Sequence, residues 1–343
     1  MRRIGVGIVG LGNAVKPHAA ALKALADRAT VVGGYSPSAA RRTQFTATYA
    51  LPAVDTLDAL LADPKVEAVF VLTPPRTHAE VALAAARAGK DVLLEKPVDV
   101  DYARSKALVD AVEGLGRTFG IVFQHRFREA SIALRETLRS GALGDLLSVS
   151  ASIRWWRSDE YFAEPGRGTI ARDGGGVLLT QAIHTLDLML DLAGVPARVS
   201  ALVRTSPLRA IDTEDIACAT VQYRNGAVGV IDATTVAYPG YPERVEIAGT
   251  RGSAVLAAER LDLNLRDAAP RVIDGGSAGG GGADPMAFSP DAHRRLIADF
   301  LDAVEARRQP LASARSALAI HALIDAMLES SRRGVAVEVA TSA

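Results

Sequence analysis

Hydrophobic and polar positions follow one rhythm up to about residue 120 and another beyond it. In the first part, short β-branched runs at 4–9, 30–35, 68–72, 91–95 and 118–123 alternate with Ala/Leu-rich stretches at 18–28, 38–49, 78–88 and 102–113. The runs are bounded by Gly, Pro or charged residues and predict strands. The stretches carry apolar residues at helical spacing and predict helices. Such alternation predicts a doubly wound parallel sheet covered on both faces.

The second part predicts a helix over 127–139, a long strand over 146–156 and a helix over 176–192. Strands follow over 198–204, 215–223, 227–235, 243–248 and 253–257, then helices over 291–307 and 313–330 and a last strand over 335–339. Asn225-Gly226 is a strong hairpin signal. Strands joined directly by turns predict antiparallel pairing, so this part reads as α+β. The expected division is a parallel α/β domain over 1–123 and a second domain over 124–343. The stretch 275–282 is nearly all Gly, Ser and Ala, and is expected to be a mobile loop or linker-like insertion.

Composition narrows the function classes. The chain has 343 residues, 49% hydrophobic and 23% charged, which excludes wholesale disorder and favours two domains. Lys+Arg and Asp+Glu are both 39, so no global field attracts a polyanion and a nucleic-acid partner is not expected. The single cysteine, Cys218, excludes an intrachain disulfide and a cysteine metal cage, and favours a reducing compartment. No apolar run approaches the ~20 residues that span a bilayer. Arg2 and Arg3 precede an apolar stretch, but Gly5, Gly7, Gly10 and Gly12 interrupt it before a signal-peptide core forms. A soluble cytoplasmic protein without a membrane partner is expected. The six histidines show no ligand spacing, so no metal is expected.

The first strand ends in Gly10-Leu11-Gly12-Asn13-Ala14-Val15. Gly10 permits a tight turn, and Gly12 lets the backbone approach a pyrophosphate lying on the N–H groups of the next helix. Val15 stands at the third glycine position and predicts a wider turn. Pro17 suits a first helical turn. At the end of the second strand stands Ser36 instead of the carboxylate that would bind both ribose hydroxyls. With Arg41 and Arg42 close behind, this tilts the expectation towards NADP over NAD; the alternative is that both arginines form a solvated helix face. Thr73-Pro74-Pro75 breaks the third strand at the sheet's carboxyl edge, where open α/β folds hold ligands, and His78 follows. The fourth strand ends in Glu95-Lys96-Pro97. A lysine there can point into the cofactor cleft and serve as a general acid/base, although a surface lysine is the simpler reading of those residues alone.

These pieces together resemble the glucose–fructose oxidoreductase/inositol dehydrogenase family, Gfo/Idh/MocA. The matching blocks are Gly7–Gly12 with His18, Thr73-Pro74-Pro75 with His78, and the run 89–97 ending in Glu95-Lys96-Pro97. Gly174-Gly175-Gly176 with His184 and Asp187, and Thr213-Glu214-Asp215, complete the pattern over roughly residues 4–335. The resemblance implies an N-terminal Rossmann domain and a second domain with a large, mostly antiparallel open sheet. It implies NAD(P)-dependent hydride transfer on a sugar, cyclitol or related alcohol, a cis Lys96–Pro97 peptide, and assembly as a homodimer or homotetramer. Glu95 and Lys96 join Gly10, Gly12, Asn13, Ala14, Val15, Ser36, Arg41, Thr73, Pro74, His78 and Gln124 as expected cofactor contacts.

In many family members an Asp stands where this chain has Thr180, so the acid/base set reduces to Lys96 and His184. A non-acidic residue at this position also occurs among relatives acting on nucleotide-linked sugars. The triple glycine is expected to run close to a ligand. Thr180 and His184, four apart, are expected on one helix face. Asp187 either orients the His184 imidazole or is the buried partner of an arginine. Lys96, Arg126, Arg157, Tyr161, Arg167, Thr180 and His184 are the expected substrate contacts. Arg and Trp together at 154–157 suit a polar, ring-shaped or anionic ligand, although at least one of Trp155 and Trp156 is expected in the core. Two other readings keep the fold: an NAD-dependent glycoside hydrolase, and a non-catalytic cofactor-binding regulator.

Overall fold

The computed structural model describes residues 2–275 and 290–341. Most of the glycine-rich stretch expected to be a mobile loop, 276–282, lies outside the described residues. The chain divides into two compact units, Met1–Phe123 with Pro290–Leu318, and Gln124–Ser289 with Ala319–Ala343.

The first unit is built on β1 (Ile4–Val9), β2 (Ala29–Tyr35), β3 (Ala68–Val71), β4 (Asp91–Leu94) and β5 (Phe119–Ile121), all parallel, in the order β2-β1-β3-β4-β5. The helices between them are α1 (Val15–Ala24), α2 (Ala39–Tyr49), α3 (Leu57–Ala62), α4 (His78–Arg87) and α5 (Tyr102–Gly114). Every residue of β1, β3, β4 and β5 is buried, as a sheet covered on both faces requires. The short α3 lies outside the sequence reading; Thr56 caps it by accepting from the Ala59 N–H. Because β2 and β3 flank β1 on opposite sides, the switch point of the sheet falls between β1 and β3.

The second unit starts with α6 (Glu129–Arg139), β6 (Leu146–Arg154) and two short helices, α7 (Asp159–Phe162) and α8 (Ile170–Asp173). A single π turn (Leu178–Ala182) then leads into α9 (Ile183–Ala193). Next come β7 (Arg198–Arg204), β8 (Ile216–Gln222), β9 (Val228–Thr234), β10 (Arg244–Gly249), β11 (Gly252–Ala257), β12 (Arg260–Leu265) and β13 (Arg271–Asp274). After α10 (Asp291–Ala306) and α11 (Leu318–Arg333), β14 (Val337–Glu338) closes a nine-stranded sheet, ordered β13-β12-β11-β10-β6-β9-β8-β7-β14. The pairing is antiparallel except between β6 and β9, which run parallel in the middle. The alternation is clearest in β8, which buries Ala217, Ala219 and Val221 and exposes Cys218, Thr220 and Gln222. Helices α6 and α9 cover one face, and no helix among the described residues covers the opposite face.

Three differences from the sequence reading are informative. β12 and β13 extend the sheet beyond the expected strands; Leu261 and Leu263 alternate with Asp262 and Asn264, but the charged residues mask that period. The segment Pro290–Leu318 belongs to the first unit, not to the second domain in which the reading put it. There α10 packs on α1, with Arg28 Nη2 2.6 Å from Asp302 Oδ1. Residues 313–317, expected to be helical, instead run beside β5: the Ile121 N–H donates to the Ala312 carbonyl and the Ala314 N–H to the Phe119 carbonyl.

Candidate active site

In the first unit the expected cofactor residues gather at the carboxyl ends of the strands. Gly10 has φ +104, and a Cβ there would lie 2.5 Å from the Leu72 carbonyl carbon, so only glycine lets β1 turn against the end of β3. Gly12 differs: a Cβ there meets no protein atom within 4 Å. The space above it is open, and α1 begins three residues later with no side-chain cap. An uncapped helix N-terminus behind a glycine turn fits a pyrophosphate. The Thr73 hydroxyl is buried without a hydrogen-bond partner on the same edge, another group that a bound dinucleotide could satisfy. Val15 is buried, so only its backbone can face a ligand; Asn13 is exposed.

Lys96 follows β4, half-buried, and the Lys96–Pro97 peptide is cis. Glu95 does not face a cofactor with a free carboxylate. Its Oε1 lies 2.8 Å from His18 Nε2, and its Oε2 accepts the Lys96 N–H at 3.2 Å. Burial pushes this carboxyl up, but the His18 hydrogen bond and the charges of His18, His293 and Lys96 outweigh it and hold the group below the usual glutamate value. Ligand atoms of His18, Glu95 and His293 all lie within 4.8 Å of one another, a cluster that sequence spacing did not reveal.

His78, expected at the cofactor, is fully buried, and its ring braces two loops instead. Nδ1 lies 2.8 Å from the Pro97 carbonyl oxygen and Nε2 2.8 Å from that of Thr73. Burial pushes its pKa below the usual histidine value despite those carbonyls. The features that favoured NADP are also engaged internally. Ser36 is buried with its Oγ accepting from the Ser38 N–H, and Arg42 donates to the Ser36 carbonyl at 2.8 Å and lies 3.2 Å from Asp55. Arg41 remains exposed.

The second unit gathers the other expected residues in two groups. In one, the Thr180 hydroxyl contacts the Gly176 carbonyl at 2.7 Å and Gln181 Oε1 at 2.5 Å, while Gln181 Nε2 donates to the Tyr161 hydroxyl at 3.2 Å. The Arg167 guanidinium lies 4.2 Å from the Tyr161 ring centre and pairs with Glu164; Arg157 is sandwiched by Trp155 and Tyr161. Thr180 stands on the π turn and His184 on the first turn of α9. At Gly176 the triple glycine packs against the chain itself. A Cβ there would lie 1.9 Å from the Glu214 carbonyl oxygen, and the Glu214 carboxylate accepts the N–H groups of Gly176 and Leu178. Gly176 is glycine because Glu214 packs on it.

In the other group, Arg126 is corrected from a substrate contact to a buried structural cation. Its Nε donates to Asp187 Oδ2 at 2.7 Å and its Nη2 to Oδ1 at 2.5 Å, with Asp191 at 3.6 Å. That settles Asp187 as an arginine partner; burial pushes its carboxyl up and Arg126 opposes the push. His184 is half-buried and stacks on His125, a residue absent from the sequence reading, with ring centres 5.0 Å apart and planes at 30°. Gln124, beside it, has a buried Oε1 without a partner. No helix among the described residues is long and apolar enough to cross a membrane.

Residues 4–123 match the family model described as an oxidoreductase family with an NAD-binding Rossmann fold, and residues 132–255 match the GFO/IDH/MocA C-terminal domain. The inositol 2-dehydrogenase of Rhizobium meliloti is 28% identical over 337 residues, covering 94% of this chain and 96% of that protein. The levoglucosan dehydrogenase of Pseudarthrobacter phenanthrenivorans is 28% identical over 300 residues, 76% of this chain and 75% of that protein. The crystal structure of the WlbA dehydrogenase from Bordetella pertussis, in complex with NADH and UDP-GlcNAcA, superposes with a TM-score of 0.86 at 25% identity, covering 99% of this chain and 100% of that one.

Proposed function

Because the chain belongs to the Gfo/Idh/MocA family of NAD-binding oxidoreductases, we propose that it oxidises a carbinol of a sugar, cyclitol or nucleotide-linked sugar, with Lys96 as the proton acceptor and His184 as a substrate-hydroxyl ligand. The observation that carries this reading is the position of Lys96. It leaves β4 at the same sheet edge where Gly10 and Gly12 open a space in front of α1. Bound NAD would supply the acceptor for the hydride of the carbinol carbon. Lys96 takes the hydroxyl proton, and only as the neutral amine, so oxidation gains rate as pH rises. Thr180 has no charge to offer, and its hydroxyl serves as a hydrogen-bond partner for a substrate hydroxyl. Tyr161 and Arg167 are the remaining substrate contacts; Arg157, expected among them, is as buried as Arg126 and supports Trp155 and Tyr161 instead.

NAD is the favoured cofactor. The related WlbA dehydrogenase structure holds NADH, and Arg42 is already committed to the Ser36 carbonyl and Asp55. The uncovered face of the nine-stranded sheet supports assembly as a homodimer or homotetramer.

The test is NADH formation on a panel of inositols, sugars and nucleotide sugars. Lys96→Ala should lose roughly 100-fold or more in kcat, in the range of general acid/base catalysis, while still binding NADH. Near-normal turnover would overturn the assignment. Titration of the wild-type protein should give tighter binding of NADH than of NADPH; the reverse order would return the choice to Ser36 and Arg41.

A further inference from the structure

We propose that His125 is a positioning residue that fixes the ring plane of His184, itself locked by Arg128 and Glu243. The proposal deepens the reading of His184 as a substrate ligand and rests on it. His125 stands in the turn Gln124–Phe127, directly after the last strand of the first sheet. Its ring is buried and stacks on that of His184, at 5.0 Å between centres and 30° between planes. Offset stacking at this separation is attractive and resists rotation of either ring about its side-chain torsion.

The second half of the device lies behind the stack. Arg128 Nη2 is 2.8 Å from His125 Nε2. A guanidinium donates and cannot accept, so Nε2 of His125 must carry the lone pair and the ring proton must sit on Nδ1. A proton on Nε2 would set two N–H groups against each other at that distance. Arg128 is itself held by Glu243 Oε1 at 2.7 Å and the Ala258 carbonyl at 3.2 Å, with both charged side chains buried. The order Glu243, Arg128, His125, His184 therefore runs from a buried ion pair to a half-buried imidazole. Each member fixes the orientation of the next. Orientation matters because a hydroxyl ligand held off-axis loses much of its hydrogen-bond strength.

Two substitutions separate stacking from bulk. His125→Phe keeps a flat ring against His184, whereas His125→Ala removes it. On a substrate that the wild type oxidises, His125→Ala should lower kcat roughly tenfold or more with the KM for NAD unchanged, and His125→Phe, which keeps the ring but not the acceptor for Arg128, should lose clearly less than His125→Ala. Full kcat in His125→Ala, or equal loss in both variants, would overturn the proposal. A readout independent of activity is the two-bond proton–nitrogen spectrum of the histidine rings at about pH 7. It should show His125 as the Nδ1–H tautomer, with the His184 ring signals displaced in His125→Ala. A proton on Nε2 of His125 defeats the lock. His184→Ala is measured alongside. Unchanged kcat there removes the role of His184 itself. Lost kcat there, beside full activity in His125→Ala, removes only the positioning.

Discussion

Arg126 shows how far a single residue can mislead. In the sequence it is a cation just past a strand that leads to the ligand edge, which is where a substrate arginine would stand. In the fold it is buried and clasped by both oxygens of Asp187. Arg126→Ala should destabilise the protein by about 3–5 kcal/mol, because it leaves Asp187 buried without its countercharge. Denaturant titration reads this directly; a loss of substrate affinity at unchanged stability would contradict it. His78 moved in the same way, from expected ligand contact to loop brace. Neither change was legible, because charge and hydrogen-bonding capacity belong to the side chain, whereas the choice between ligand and protein partner depends on what lies within about 3 Å.

Elements were more legible than partners. The turn after β1 was readable because Gly10 answers a backbone demand, whereas no protein atom near Gly12 requires glycine there. Gly10→Ala forces a Cβ against the backbone at the end of β3 and should destabilise the fold. Gly12→Ala meets no protein atom within 4 Å, so its melting temperature should stay at the wild-type value while NADH affinity falls about tenfold or more. Equal NADH binding by Gly12→Ala and wild type would place the pyrophosphate elsewhere. The π turn at Leu178–Ala182 escaped the reading, since its sequence carries the same apolar spacing as an α-helix and differs only in how the carbonyls pair.

At the scale of the whole molecule, one face of the nine-stranded sheet carries no helix among the described residues. Leu202, Val228 and Val230 are each at least half exposed on it, among serines and threonines. If copies assemble through this face, Leu202→Glu combined with Val230→Glu should lower the mass measured by light scattering while leaving the far-ultraviolet circular dichroism intact. An unchanged mass would move the interface elsewhere.

Local physics on consecutive residues determined the alternation of strands and helices, the parallel first sheet and the glycine turn after β1. Period, turn chemistry and glycine placement are written within a few neighbouring positions. Only the tertiary structure decided that α10 returns to the first unit, that β6 and β9 run parallel, that Glu214 fills the space behind Gly176, and that His125 lies on His184. Those outcomes depend on contacts between segments far apart in the chain. Which distant partner satisfies a buried charge or ring is fixed by how the whole chain packs, and no local pattern carries that information.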